Sequence, residues 1–301
     1  MRNTKVGIVG LIALVLTITG CQNEKITENT TQKTKETSQE AVALTIEGQK
    51  ETYEFVDVEG NSYEAELLEQ VPKHSYDFSR LTEENGFKYY LDEEGNIISK
   101  LGIDVSEYQP EVDWKQIKEA GAEFAIIRLG YRGYGEAGRL VEDKMFQEHI
   151  ENAQKAGLEV GVYFFSQAIT EEEVKEEAAF GLERIKDYEI TCPVVFDTEE
   201  IKYDTARTDN LTPEEFTNNC KIFCDEIEEA GYDTMIYSNM KWLAFTLNAE
   251  ELTDYDKWYA DYAPLPQCPY DFEMWQYTET GKISGIDGNV DLNVWFPEEA
   301  E

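Results

Sequence analysis

Two acids set one residue apart, Asp197 and Glu199, follow the apolar run Val194-Val195-Phe196. On a strand, residues i and i+2 project to the same face, so this spacing predicts both carboxylates in one pocket. Carboxyl groups held together in a partly desolvated site repel, which raises one pKa and leaves the other group ionised. That division supplies a proton donor and a charge stabiliser, the pair that glycoside hydrolysis uses. The triplet alone is weak in a chain with 63 Asp+Glu, because most acids simply solvate a surface. Only two histidines occur, His74 and His149, which excludes a histidine-rich metal site. Acid–base chemistry is therefore expected to run on Asp and Glu.

The elements that must position these acids begin at Leu101. Apolar strand runs appear at LGIDV, FAIIRLG, EVGVYFF, PVVFD, TMIYS, KWYAD, FEMWQY and VDLNVW. The first few are separated by stretches of helical periodicity, several ending in Ala-Gly, a helix stop. About five βα units followed by three further strands predict an α/β fold, an irregular TIM-like (β/α) barrel. Working groups of such barrels gather at the C-terminal strand ends. Here those ends carry Asp104; Tyr163, Phe164 and Phe165; Asp197 and Glu199; Tyr237; Tyr259 and Asp261; and Trp275-Gln276-Tyr277. The last strand instead opens with its acid, Asp291. Tyr237 and Trp275 are either sugar-stacking platforms or barrel packing. Tyr262 and Gln276 are expected on the cleft wall, offering a hydroxyl and an amide. Arg128 is expected to pair with a site carboxylate, and Asp113 to cap the helix that starts at Trp114.

Ahead of the barrel the chain changes character three times. Residues 1–20 read as a signal peptide: Arg2 and Lys5 precede an apolar run from Val6 to Ile18, shorter than the about 20 residues of a membrane span. Ile18-Thr19-Gly20-Cys21 resembles a bacterial lipobox, which implies cleavage before Cys21 and lipidation of its thiol. Residues 21–40 are then the lipidated cysteine and a solvated, disordered tether. Residues 41–100 alternate in short runs with turn signals at Gly60 and Gly95, a small antiparallel β accessory region. It is either a spacer or wall-contacting module, or an extension packed on the barrel of 101–298. Cys192, Cys220, Cys224 and Cys268 contain no CxxC pair, so structural zinc is not expected. Free buried thiols are the default for these four, with a Cys192–Cys268 bridge left open.

The charge balance, 26 Lys+Arg against 63 Asp+Glu, gives −37. No acid falls in the first twenty-one residues, so the remainder carries 24 − 63 = −39. A nucleic-acid binder needs a basic face to displace counterions, and this chain has the opposite balance.

GIDVSEYQPEVDW, FAIIRLGYRG, GVYFF, VVFDTE, YADY, WQY and VDLN, in this order, resemble glycoside hydrolase family 25 over about 101–297. The resemblance implies an N-acetylmuramidase (lysozyme) that cuts the β-1,4 bond between N-acetylmuramic acid and N-acetylglucosamine of peptidoglycan, without metal or cofactor. It implies Glu199 as general acid and Asp197 as the acid that orients the substrate acetamido group, with Asp104 and Asp291 completing the acids of the site. It also implies Tyr163 as a cleft tyrosine. Phe165, Tyr237, Asp261, Tyr262, Trp275 and Gln276 are the further candidate substrate contacts. The substrate's own acetamido oxygen is the expected nucleophile, with retention. The chitinase-like barrels share a strand-four Asp-x-Glu but extend it upstream with aspartates, where this chain has Val195 and Pro193. A non-catalytic muropeptide-binding or sensor lipoprotein on the same barrel is the alternative. Expected partners are peptidoglycan glycan strands and, through the lipid on Cys21, the outer face of the cytoplasmic membrane; no nucleic acid is expected, and the chain is expected to be a monomer.

Overall fold

A computed structural model of the chain describes residues 50–297. The expected signal peptide, Cys21 and the tether lie outside the described residues.

The first described elements are two small antiparallel hairpins. β1 (Thr52–Val56) pairs with β2 (Ser62–Glu66), and β3 (Leu81–Glu84) pairs with β4 (Phe87–Tyr90). The first turn falls where expected, around Gly60, whose φ of 87 lies in the left-handed region. The second hairpin turns at Asn85-Gly86, with φ of 55 and 85, ahead of the expected tip at Gly95. Two consecutive left-handed residues are what a two-residue hairpin needs, and Asn-Gly supplies them. The Gly95 turn exists, but only a single bridge, Leu91 to Ile97, closes it.

Eight strands then close a barrel in the order β5 (Lys100–Val105), β6 (Phe124–Arg132), β8 (Glu159–Phe165), β9 (Val194–Asp197), β10 (Thr234–Asn239), β11 (Asp256–Ala260), β12 (Met274–Gly281) and β13 (Val290–Trp295). The short strand β7 (Leu140–Glu142) hangs off β6 as an antiparallel partner. Neighbours from β5 round to β12 run parallel. The last strand, β13, is antiparallel to both its neighbours, β12 and β5. Parallel neighbours need crossovers, and the first five are helical: α1 (Trp114–Glu119), α2 (Phe146–Lys155), α3 (Glu171–Ile185), α4 (Pro213–Glu229) and α5 (Met240–Phe245). Side chains at the N-termini start several of them. Asp113 accepts from the Gln116 amide, and Thr212 forms a capping box with Glu215.

Alternation along the strands divides the apolar residues between two cores. Phe124, Ile126, Val195, Met235, Trp258 and Met274 fill the barrel interior. Residues of opposite parity, among them Ile103, Phe164, Phe196, Tyr259 and Trp275, face outward and pack with the helices. Phe55, Val71 and Tyr90 of the accessory region join that outer core. Tyr76 packs at 4.4 Å between ring centroids from Phe296, beyond the last strand. The accessory hairpins and the barrel therefore share buried apolar surface, which is non-directional stabilisation lost if they separate. Cys192, Cys220, Cys224 and Cys268 are buried free thiols. Cys192 sits in the interior core and Cys268 in the outer one, so no bridge joins them.

Candidate active site

At the barrel mouth a cavity of ≈ 200 Å³ is lined by Asp104, Asp197, Glu199 and Asp291 together with Tyr163, Tyr237, Trp258, Tyr262, Gln276 and Glu279. The reversal of β13 explains how Asp291 arrives there. A strand running against the others begins where they end, so an acid at its start joins acids at the ends of the parallel strands. The register places Asp291 directly opposite Asp104.

Asp104 is the most firmly held of the four. Its Oδ2 accepts hydrogen bonds from Gln276 Nε2 at 3.0 Å and Asn293 Nδ2 at 2.8 Å. Each donor is itself fixed. Trp258 Nε1 donates to Asn293 Oδ1 at 2.8 Å, and the hydroxyls of Tyr237 and Tyr262 both donate to Gln276 Oε1 at 2.9 Å. The chain of bonds polarises its members and removes rotational freedom from the carboxylate.

Burial pushes the Asp104 carboxyl up to about 6, and the hydrogen bonds from Asn293 and Gln276 hold it from going further. Asp291 rises to about 9, through burial first and then the charges of Asp104 and Glu279. Asp197 is raised well above the usual carboxylate range by burial, by Glu199 and by Asp104, against the pull of Arg128. Glu199 is raised by burial too, opposed chiefly by the Lys202 ammonium. Four acids in one desolvated mouth cannot all ionise near neutrality, so protons stay in the site.

Strand β9 ends at Asp197, and Glu199 stands two residues past it. The same-face reading applies only to Asp197, which shares inward parity with Val195; Glu199 reaches the same cavity from the following loop. Asp197 is 6% exposed, and its Oδ1 is buried without a hydrogen-bond partner. An orphaned acceptor of this kind costs free energy unless something else satisfies it.

Of the candidate contacts, Tyr163, Tyr237, Tyr262 and Gln276 line the cavity, although Gln276 spends its amide on Asp104 and the two tyrosines. Phe165 lies on the strand end without lining the cavity. Trp275 does not face the cleft. It is fully buried in the outer core, and its Nε1 donates to the Asp261 carbonyl at 2.7 Å. Asp261 is 2% exposed and braces a loop instead of facing sugar: its carboxylate accepts from the amides of Ala263 and Gln267, the Gln267 side chain and the Tyr259 hydroxyl. Arg128 pairs with Asp143 at 2.7 Å and Glu107 at 3.2 Å, not with the four acids. Two cavity residues escaped the reading of the sequence, Trp258 and Glu279. Trp258 was legible from parity, since it precedes inward Ala260 by two. Glu279 was not, because register shifts in β12 after Gln276 break the alternation.

A barrel whose mouth gathers paired carboxylates has the form of a glycosidase. Residues 103–286 match Glycosyl hydrolases family 25, and the chain belongs to that family. Over 193 residues it is 25% identical to the "Autolytic lysozyme" of Clostridium acetobutylicum, covering 64% of this chain and 54% of that protein. It is 27% identical over 207 residues to "Lysozyme M1" of Streptomyces globisporus, covering 64% and 66%. The chain thus spans about half the length of the clostridial relative (54%). A family 25 glycosyl hydrolase from Bacillus anthracis shares the fold, with a TM-score of 0.57, 22% identity, and 72% and 96% of the two chains covered. So does the modular autolysin LytC of Streptococcus pneumoniae in complex with a synthetic peptidoglycan ligand, with a TM-score of 0.59, 23% identity, and 81% and 56% covered.

Proposed function

We propose that the chain is a peptidoglycan hydrolase that cleaves the β-1,4 bond between N-acetylmuramic acid and N-acetylglucosamine. The observation that carries this reading is the buried, partnerless Oδ1 of Asp197 beside a protonatable Glu199. An acetamido N–H is a donor that would satisfy that oxygen and, in doing so, turn the amide oxygen toward the anomeric carbon. Glu199 gives its proton to the leaving glycosidic oxygen as the C–O bond breaks, and the acetamido oxygen closes onto C1. Water then adds at C1 from the vacated side as the bond from C1 to the acetamido oxygen breaks, and its proton passes to the Glu199 carboxylate, with net retention. Asp104 and Asp291 hold a shared negative charge near the developing oxocarbenium. The names of the two lysozyme relatives support the substrate class. Export, with a lipid on Cys21 holding the protein at the outer face of the cytoplasmic membrane, completes the proposal.

The test is a digest of purified cell wall by the full chain, resolved by mass spectrometry. Muramic acid is expected at the new reducing ends, initially in the β configuration. Glucosamine at those ends, or bound glycan with no new ends, would overturn the assignment; the second result is the mark of a sensor.

A further inference from the structure

Glu199 has a cation beside it, and that cation is held from outside the barrel. Glu199, Lys202 and Glu59 line one cavity of ≈ 130 Å³ next to the carboxylate pocket. Lys202 stands three residues past Glu199 on the loop that follows β9. Its ammonium pairs with the Glu59 carboxylate at 2.7 Å. Glu59 belongs to the β1–β2 turn, which precedes residues 103–286, so the family portion of the chain does not contain it.

The hairpin fixes where that charge sits. Asp57 Oδ1 accepts from the backbone amides of Glu59 at 2.9 Å and Asn61 at 2.8 Å. Phe55 and Tyr63 pack on Phe245 of α5, at 6.0 and 5.8 Å between ring centroids. The Gln267 side chain exchanges two hydrogen bonds with the backbone of Val56, each 2.9 Å. A second turn of the accessory region repeats this sequence in another place. Asp57-Val58-Glu59-Gly60-Asn61 and Asp92-Glu93-Glu94-Gly95-Asn96 differ at one position, and Asp92 Oδ1 likewise accepts from the Asn96 amide, at 2.7 Å. Glu94 is exposed and lines neither mouth cavity.

The charges that share a cavity with Glu199 are mostly negative. Asp104, Asp197 and Asp291 come from β5, β9 and β13, and Glu279 from β12. Tyr163, Tyr237 and Tyr262 add hydroxyls that burial keeps protonated. Asp57 comes from the hairpin with Glu59, and Glu200 from the loop of Glu199 itself. Lys241 of α5 is a second cation on this wall, 3.8 Å from Glu200. Lys202 is the strongest charge opposing the rise that burial gives Glu199, while Asp104 and Glu279 add to that rise. The Glu59 carboxylate in turn keeps Lys202 protonated, above the usual lysine range.

We propose that Glu59 and Lys202 are positioning residues for the general acid: the accessory hairpin holds a partly neutralised ammonium at the mouth, and the pair sets the upper pH limit of turnover. The proposal rests on the glycan-cleaving reading with Glu199 as the acid, and deepens it. A general acid works while protonated, so the basic limb of kcat/KM follows the Glu199 proton. Removing the ammonium makes ionised Glu199 less favourable, and the limb moves to higher pH. Removing the Glu59 charge leaves the ammonium uncompensated, and the limb moves to lower pH.

The test records reducing-end release by the full chain from solubilised peptidoglycan glycan at limiting concentration, across a range of pH. Lys202→Met is expected to raise the basic limb and Glu59→Gln to lower it, each by about 0.5 pH unit at low salt. Glu59→Gln keeps an oxygen that accepts from the ammonium, so its effect is one of charge. Both side chains are exposed, and 0.5 M salt is expected to shrink both shifts. Lys202→Arg and Glu94→Gln, the latter at the matching turn, are expected to keep the wild-type limb. Melting curves confirm that each variant folds, and Lys202→Gln replaces Lys202→Met if that variant does not. Loss of an ion pair that served structure alone would affect both partners alike. No shift, shifts in one direction, or an equal shift in Lys202→Arg or Glu94→Gln therefore overturns the proposal. The hydrolase reading fails on a different result, a wild-type chain that releases no reducing ends from cell wall.

Discussion

Asp104 and Asp291 face one another across strands that run in opposite directions; burial and then the charge of Asp104 push Asp291 up, whereas the amide donors of Asn293 and Gln276 restrain the rise that burial gives Asp104. At this scale the reaction rests on one transferable proton. Glu199 is raised by burial and lies at the edge of the cavity where solvent and substrate can reach it. Glu199→Gln keeps the size and hydrogen bonding of the side chain but has no proton to give. Its kcat is expected to fall about 10²- to 10⁴-fold, with melting temperature and glycan affinity near wild type. Reducing-end release at saturating substrate checks this; wild-type turnover would remove Glu199 from the role. The types of these residues were readable from the sequence, since Asp197 and Glu199 follow an apolar run and Asp104 ends another. The companions of Asp104 were not. Asn293 and Gln276 carry no signal that they aim at one oxygen, because that depends on β13 reversing beside β5.

Among the strands and hairpins, alternation decides which aromatic residues meet substrate. Position at a strand end is visible in the sequence, but facing depends on parity relative to the barrel axis, and one residue of offset turns a side chain outward. Tyr237 and Trp258 fall inward, whereas Tyr259 and Trp275 fall outward. The βα order was legible because helix and strand periods differ, and the first hairpin because its turn holds Gly60; the second was misplaced, since it turns at Asn85-Gly86 and not at Gly95. How tightly the accessory region packs on the barrel was not legible, since its Tyr and Phe residues pair with Phe272 and Phe296 about two hundred residues away. Trp275 gives a direct check. With its ring buried and its Nε1 bonded to the Asp261 carbonyl, Trp275→Ala is expected to cost about 3–5 kcal/mol of stability. Its kcat/KM per folded molecule should stay within about twofold of wild type, as a residue outside the cleft requires. Denaturant unfolding paired with an activity assay measures both. A large rise in KM with stability intact would return Trp275 to the glycan.

Over the whole molecule, acidity acts through two routes that pH and salt can separate. The formal charge of −37 makes the surface self-repelling as carboxylates ionise, and added salt screens that repulsion. The buried mouth follows a different rule. Asp104 at about 6 and Asp291 at about 9 hold protons in the folded state that the unfolded chain has already released above about pH 4. Unfolding between those limits therefore releases protons, so stability is greatest below about pH 4 in this contribution and falls as pH rises, up to about 6 for Asp104 and about 9 for Asp291. Glu177 and Glu273, each pushed up to about 7 by burial, add to the same slope. Unfolding free energy of the full chain is thus expected to decrease between pH 5 and 9 at low and at high salt, with salt recovering only the surface share. Asp291→Asn removes the group with the widest window and should flatten the pH 6–9 segment at high salt, where the surface contribution is weakest. Urea titrations at several pH values, with and without 0.5 M salt, give the comparison. Stability that rises with pH across this range, or a slope that Asp291→Asn leaves intact, would mean that the mouth is already ionised and that its four acids share no proton.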